Sequence, residues 1–75
     1  MNSYRFRVPV LTDGEALEID VEAANLAGAA SKLSYRLQLG HGSVFAGYSR
    51  KAAGWVAFRV GRDPRSVEQA GRVAS

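Results

Sequence analysis

The stretch that decides the fold covers residues 4–23 and reads YRFRVPVLTDGEALEIDVEA. Apolar and charged residues alternate on both sides of Asp13-Gly14, and this dipeptide is typical of a two-residue hairpin turn. Reversal of the chain there places apolar side chains against each other on one face and arginines against carboxylates on the other. The predicted cross-strand pairs are Val10 with Leu17, Val8 with Ile19, Phe6 with Val21, Tyr4 with Ala23, Arg7 with Asp20 and Arg5 with Glu22.

A helix is predicted to follow this hairpin. Asn25 has the side chain of an N-cap, and Gly40 is a natural residue to end the helix. Between them, apolar residues recur at the spacing of a single helical stripe. The stripe consists of Leu26, Ala30, Leu33 and Leu37.

Residues 43–49 and 55–61 alternate again and predict a second hairpin around a loop at residues 50–53. One face of this hairpin carries Val56, Phe58 and Val60, and we assign it to the helix. The predicted pairs are Phe45 with Phe58, Ala46 with Ala57, Gly47 with Val56 and Tyr48 with Trp55.

Pro9 favours an edge position for the first strand, because its missing N–H faces away from the second strand and would interrupt a ladder there. We therefore expect an α+β, two-layer fold. Its four-stranded antiparallel sheet (ββαββ) has the order 1-2-4-3, with one helix on one face.

Residues 1–62 form the single expected domain. The segment 63–75 begins with Asp63-Pro64, a pair typical of a helix start, but Gly71 weakens the helical pattern that follows. A short C-terminal helix and a flexible tail both fit this segment.

Composition narrows the class of protein. The chain has 75 residues and no cysteine, so we expect neither a disulfide framework nor a thiolate metal site. The longest apolar stretches are far too short to span a bilayer, and no apolar signal core follows the first basic residues. We expect a cytoplasmic protein without a membrane segment.

Charge is unevenly distributed along the chain. Residues 1–22 carry two basic and five acidic side chains, whereas residues 23–75 carry eight basic and two acidic ones. Such asymmetry can orient a protein against a polyanion or an acidic protein surface, although a solvated surface is the commoner explanation.

No set of residues indicates catalysis. His41 is the only histidine and lies between two glycines in a predicted loop. Glu18, Asp20 and Glu22 share one strand face, but arginines lie opposite them, so ion pairing explains them better than acid-base chemistry does. We expect no enzyme, no cofactor and no metal site.

The second face of the sheet is predicted to be open, because a single helix covers only one side. Tryptophan, tyrosine and arginine are enriched at the centres of protein interfaces, and aromatics among basic groups also suit stacking on single-stranded nucleic acid. The alternative is that residues 64–74 fold back and bury this face. The predicted partner-binding residues are Tyr48, Arg50, Lys51, Trp55 and Arg59, and the candidate nucleic-acid contacts are Lys32, Arg36 and Arg62.

Residues 17–33 read LEIDVEAANLAGAASKL, a strand that enters an alanine-rich helix, and the hairpin up to Arg62 follows. This order resembles small proteins of phages and other mobile elements, including some anti-CRISPR proteins, over residues 4–62. The resemblance implies an inhibitor that binds protein subunits of a nucleoprotein effector. Several anti-CRISPR proteins are acidic mimics of DNA, and this basic chain departs from that pattern.

Two functions remain as hypotheses. The first is a non-enzymatic interaction protein, an anti-CRISPR-like inhibitor that blocks guide or target engagement by a CRISPR effector complex. The second is a small basic module that binds DNA or RNA directly. A homodimer formed through the sheet face is compatible with either.

Overall fold

The computed structural model describes residues 1–9 and 15–73. Five strands form one antiparallel sheet in the order β2-β1-β3-β4-β5, with the single helix α1 on one face. The predicted α+β class is confirmed, whereas the predicted four strands in the order 1-2-4-3 are wrong. The elements are β1 (Asn2–Pro9), β2 (Ala16–Ala23), α1 (Leu26–Leu37), β3 (Val44–Ser49), β4 (Gly54–Val60) and β5 (Val67–Arg72).

The register of β1 against β2 differs from the predicted one by two residues. Arg7 lies opposite Glu18 and not opposite Asp20. A shift of two residues returns every side chain to its original face, so alternation cannot distinguish the two registers. The predicted turn at Asp13-Gly14 lies outside the described residues. The observed pairs include Arg5 with Asp20, Phe6 with Ile19, Arg7 with Glu18 and Val8 with Leu17.

β1 lies inside the sheet, so the prediction of an edge strand from Pro9 is wrong. The ladder between β1 and β3 pairs Phe6 with Gly47 and Arg7 with Ala46. Pro9 lies beyond these paired residues, where its missing N–H does not interrupt the ladder.

The second hairpin has the predicted register. Phe45 lies opposite Phe58 and Tyr48 opposite Trp55, and the strands are joined by residues 50–53. The face that carries Phe58 is buried under α1, as predicted.

β5 takes the place of the predicted C-terminal helix or tail. Arg65 N donates to Asp63 Oδ1 at 2.9 Å and Ser66 N to Asp63 O at 2.8 Å, so Asp63 begins a turn and not a helix. The chain then runs along β4, with Val67 opposite Val60, and bulges beside Ala57 and Phe58. β5 therefore extends the sheet and does not fold over its second face.

α1 begins at the predicted cap. Asn25 accepts a hydrogen bond from Gly28 N at 2.7 Å, and a Cβ at Gly28 would lie 3.2 Å from the capping oxygen. The helix ends earlier than Gly40 predicts, because Gln38 adopts the left-handed conformation with φ 51° and its N–H bonds back to the last turn.

Three phenylalanines form the centre of the core. Phe6 meets Phe45 edge-on at 5.8 Å between ring centroids, and Phe45 stacks on Phe58 at 5.7 Å. Leu33 of α1 is buried in the same cluster. A Cβ at Gly47 would lie 2.7 Å from Phe6 Cε1, so the Phe6 ring occupies the space that a side chain would need.

Candidate interaction surface

The sheet face opposite α1, here called the open face, carries no helix or strand over it in the described part of the chain. Each strand contributes the side chains that alternate with its core residues. The open face includes Arg5, Arg7, Glu18, Asp20, Glu22, Val44, Ala46, Tyr48, Trp55, Ala57, Arg59 and Glu68.

An aromatic cluster occupies one end of the open face. Tyr48 and Trp55 are cross-strand partners, with ring centroids 5.6 Å apart and planes at 75°. The Arg7 guanidinium carbon lies 4.4 Å from the Trp55 ring centroid, within the range of a cation–π contact. Tyr48 is 40 % exposed and Trp55 is partly buried, so the rings are ordered by their neighbours and still accessible.

Ion pairs connect β1 to β2 beside this cluster. Arg5 Nε donates to Asp20 Oδ1 at 3.1 Å, and Glu18 lies 4.0 Å from Arg5 and 3.9 Å from Arg7. The hydrogen bond to Asp20, with the charges of Asp20 and Glu18, raises the pKa of Arg5 further above its ordinary value. All four side chains are about half exposed, so the pairs orient the side chains more than they stabilise the fold.

The open face is nearly balanced in charge, although the whole chain is basic. The described strands carry three arginines and four carboxylates on this face. The basic surplus lies elsewhere, on the loop at residues 50–53, the turn at residues 61–66 and α1. The charge of the open face therefore does not by itself favour a polyanion.

A mostly apolar groove of about 350 Å³ runs along the open face beside the arginines. It provides a concave, apolar contact area next to charged groups, which is the arrangement of an anchor pocket in a protein interface. Its walls come from β1, the start of β2, β3 and the C-terminal segment. The lining residues are Arg7, Pro9, Glu15, Ala16, Val44, Phe45, Ala46 and Val73.

The structure brings together only some of the predicted partner-binding residues. Arg50 lines a hollow of about 410 Å³ with Tyr48 and Trp55. Lys51 lies in the same loop but lines a different depression, near the start of α1. Arg59 shares the face but lies four residues from Trp55 along β4, or about 13 Å, and its cross-strand partner on β5 is Glu68.

The candidate nucleic-acid contacts lie away from the open face. Lys32 and Arg36 are exposed on α1, and Lys32 Nζ donates to Glu22 O at 2.9 Å. Arg62 is exposed in the turn after β4. Near them, the Arg65 guanidinium carbon lies 4.4 Å from the Tyr35 ring centroid.

Arg7 is the functional candidate that sequence reasoning missed. The predicted register assigned it to a cross-strand ion pair, and its contact with Trp55 depends on β1 lying beside β3. The sequence predicted that Tyr48 and Trp55 lie opposite each other, but it did not predict that β1 pairs with β3 beside them.

The described residues contain neither a cluster of metal ligands nor a membrane-spanning helix. Within residues 1–9 and 15–73, no group of three or more His, Cys, Asp or Glu side chains could hold a metal ion. No helix in that part of the chain is both long and apolar enough to cross a membrane.

Comparison with protein-family models, curated proteins and solved structures finds no match to this chain.

Proposed function

We propose that this chain is a small non-enzymatic interaction protein that binds a partner protein through the open face. The observation that carries the proposal is the accessible cluster of Trp55, Tyr48 and Arg7 beside an apolar groove. These three residue types dominate the binding energy of protein interfaces.

The partner's chemistry follows from the groove and its surroundings. The groove accepts an apolar side chain, because Pro9, Val44 and Ala46 line it. Glu15 lines the groove and Glu18 lies beside it, so a basic residue next to that apolar anchor would find a carboxylate. The proposed partner is a protein surface that presents an apolar anchor with a basic neighbour.

Nucleic acid fits the open face less well than a protein does. Base stacking needs a free ring face, and Arg7 already lies over Trp55. Arg5 is engaged by Asp20, and the row of carboxylates on β2 would repel phosphates.

Site-specific photo-crosslinking tests the proposal in the cells that encode the chain. A photoreactive phenylalanine replaces Tyr48 on the open face or, as the matched control, the similarly exposed Tyr35 on α1. We expect one identified protein to cross-link from position 48, to be absent from position 35, and to disappear when Trp55→Ala is added.

Three outcomes would contradict the proposal. They are cross-links from position 35 alone, nucleic acid in place of protein at position 48, and a second copy of this chain as the only product at position 48.

A narrower form of the proposal makes the partner a CRISPR effector complex, whose guide or target engagement the chain blocks. Its support is the resemblance of residues 4–62 to small mobile-element proteins. The test is to express the chain in cells with an active CRISPR system and count phage plaques. Immunity is expected to fall with the native chain and to be retained with Trp55→Ala, and unchanged plaque counts in every subtype tested would contradict it.

A second candidate function is contact with a nucleic-acid backbone through the helix side of the molecule. Residues 24–62 contain no Asp or Glu, and Lys32 and Arg36 are exposed on α1 with Arg65 packed beside Tyr35. A cluster of exposed basic groups on one side of a protein favours contact with phosphates.

The salt dependence of binding to a duplex DNA of about 20 base pairs tests this second function. Lys32→Gln with Arg36→Gln should weaken binding and reduce the slope of log affinity against log salt by about two. Arg59→Gln, on the open face, is the control and should leave the slope unchanged. No binding by the native chain at low salt would contradict this function.

A further inference from the structure

β2 is an edge strand of the described sheet, because it pairs with β1 on one side and with no other described strand on the other. Edge strands expose backbone N–H and C=O groups that can pair with a strand from another chain. The register of the first hairpin determines which groups face outward.

Antiparallel strands alternate between hydrogen-bonded and non-hydrogen-bonded residue pairs. Pro9 has no N–H and lies opposite Ala16, which fits a non-hydrogen-bonded pair. Every second residue pair is then also non-hydrogen-bonded, and in those pairs the backbone N–H and C=O groups of β2 point away from β1. The β2 residues concerned are Ala16, Glu18, Asp20 and Glu22.

Lys32 provides independent support for this direction. Its Nζ reaches from α1 and donates to Glu22 O at 2.9 Å, and Glu22 O is one of the carbonyls that the alternation turns outward. This bond caps one end of the edge. No other described residue bonds to the outward groups of Glu18 and Asp20.

The opposite edge of the sheet is less suited to strand addition. β5 bulges beside Ala57 and Phe58, and Gly71 has a φ of 110°. Bulges disrupt the regular spacing that a new ladder needs. β2 pairs over eight residues without a register shift.

We propose that the outer edge of β2 accepts an antiparallel strand from a partner protein with basic residues at alternate positions. On the open side, such residues would face the carboxylates of Glu18, Asp20 and Glu22. The Glu18 carboxylate lies 4.0 Å from Arg5 and 3.9 Å from Arg7, longer than a hydrogen bond, so it can still accept one from another cation. On the helix side, apolar residues would cover Leu17, which is 50 % exposed.

A second copy of this chain is a poor occupant of the edge. Antiparallel pairing of two β2 strands that keeps both open faces on one side would set carboxylates against carboxylates. Like charges directly opposite each other in a sheet are destabilising. The carboxylates of β2 therefore disfavour pairing with a second β2 strand and favour a strand that carries basic residues.

The probe is a capped eight-residue peptide that alternates arginine and valine, and backbone amide chemical shifts of the full chain provide the measurement. The control peptide alternates glutamate and valine. We expect the basic peptide to perturb the Glu18 and Asp20 amides and to slow their hydrogen exchange, and the acidic peptide to do neither.

Matched variants separate backbone pairing from charge. Glu18→Ala keeps the outward N–H and should weaken binding about fivefold or less, whereas Glu18→Pro removes that N–H and should weaken it about tenfold further. Asp20→Pro is the second proline variant. Both should fold, because the lost N–H points away from β1, and circular dichroism checks this.

Several results would overturn the inference. They are absence of peptide binding, equal effects of Glu18→Ala and Glu18→Pro, and unfolding of both proline variants, which would show that those N–H groups bond to β1. Perturbation confined to the Trp55 and Ala57 amides would assign the peptide to the open face instead. Trp55→Ala should leave edge binding unchanged, so failure of the proposed function and failure of this inference are distinguishable.

Discussion

The two faces of the sheet contain similar residue types in opposite environments. Under α1, Phe6, Phe45 and Phe58 are almost completely buried. On the open face, Tyr48 and Trp55 meet at a similar ring distance but remain in contact with solvent.

This difference separates stability from binding. The covered face removes its aromatic surface from water within the chain, which supplies the main driving force for folding. The open face holds its aromatic surface in place without covering it, and an accessible, ordered aromatic pair is the usual centre of an interface. Substitutions on the covered face of a strand should therefore lower the free energy of unfolding, whereas substitutions on its open face should lower the affinity for a partner.

The largest expected effect is that of Phe58→Ala on β4. Removing this buried ring leaves a cavity beside Phe6 and Phe45 and should lower the free energy of unfolding by about 3–5 kcal/mol. So small a domain has little more stability than that, so circular dichroism at 25 °C should show a largely unfolded chain. A cooperative thermal transition close to that of the native chain would contradict the claim that the covered face supplies most of the stability.

Gly47→Ala should have the next largest effect. The added Cβ would lie 2.7 Å from Phe6 Cε1 and 3.1 Å from Phe58 Cε2, and overpacking of this kind costs about 1–3 kcal/mol. Ala46→Val, at the preceding residue and on the open face, is the control and should change stability by less than about 0.5 kcal/mol. Equal urea midpoints for the two variants would contradict the account.

Ser34→Ala should stabilise the protein by about 1 kcal/mol. The Ser34 hydroxyl is fully buried and has no hydrogen-bond partner among the described residues, and alanine is the better helix former. Ser31 lies one turn earlier and donates to Arg65 O, so Ser31→Ala should not stabilise. Loss of stability in Ser34→Ala on thermal melting would show that its hydroxyl is bonded.

The smallest effect is expected from Arg5→Ala. Its partners Asp20 and Glu18 are about half exposed, and exposed ion pairs contribute little to stability. The melting temperature should change by less than about 2 °C. A larger decrease would mean that the ion pairs of the open face hold the fold together.

The two hairpins show how much of the fold the sequence could predict. For β3 and β4, Phe45 against Phe58 and Tyr48 against Trp55 give the observed register, since shifting it would separate both aromatic pairs. β1 and β2 repeat similar residues at every second position, so registers two residues apart satisfy the same pattern and the predicted one is wrong.

The strand order could not be predicted from Pro9 in β1 alone, because it depends on which residues of β1 pair with β3. The pairing of Pro9 with Ala16 fits a missing N–H that faces away from β2, but the ladder between β1 and β3 ends at Arg7, before Pro9. β5 was missed because residues 67–72 are mostly exposed and lack alternation, so pairing with β4 and not burial places them in the sheet.

The part of the candidate site that lies in the hairpin of β3 and β4 could be predicted from the alternation of residues along these strands. Trp55 and Tyr48 face away from α1 as predicted. Arg7 joins them through the unpredicted contact between β1 and β3, and Lys51 lies away from them because the loop turns it towards the start of α1.

The most direct test of the central claim measures Trp55→Ala twice, by urea unfolding and by affinity for the protein that cross-links from position 48. Loss of the contacts with Tyr48 and Arg7 should lower the free energy of unfolding by about 1 kcal/mol. Affinity should fall about thirtyfold or more, as at an interface centre. A loss of stability as large as that of Phe58→Ala, or an unchanged affinity, would contradict the claim that the open face is the binding surface.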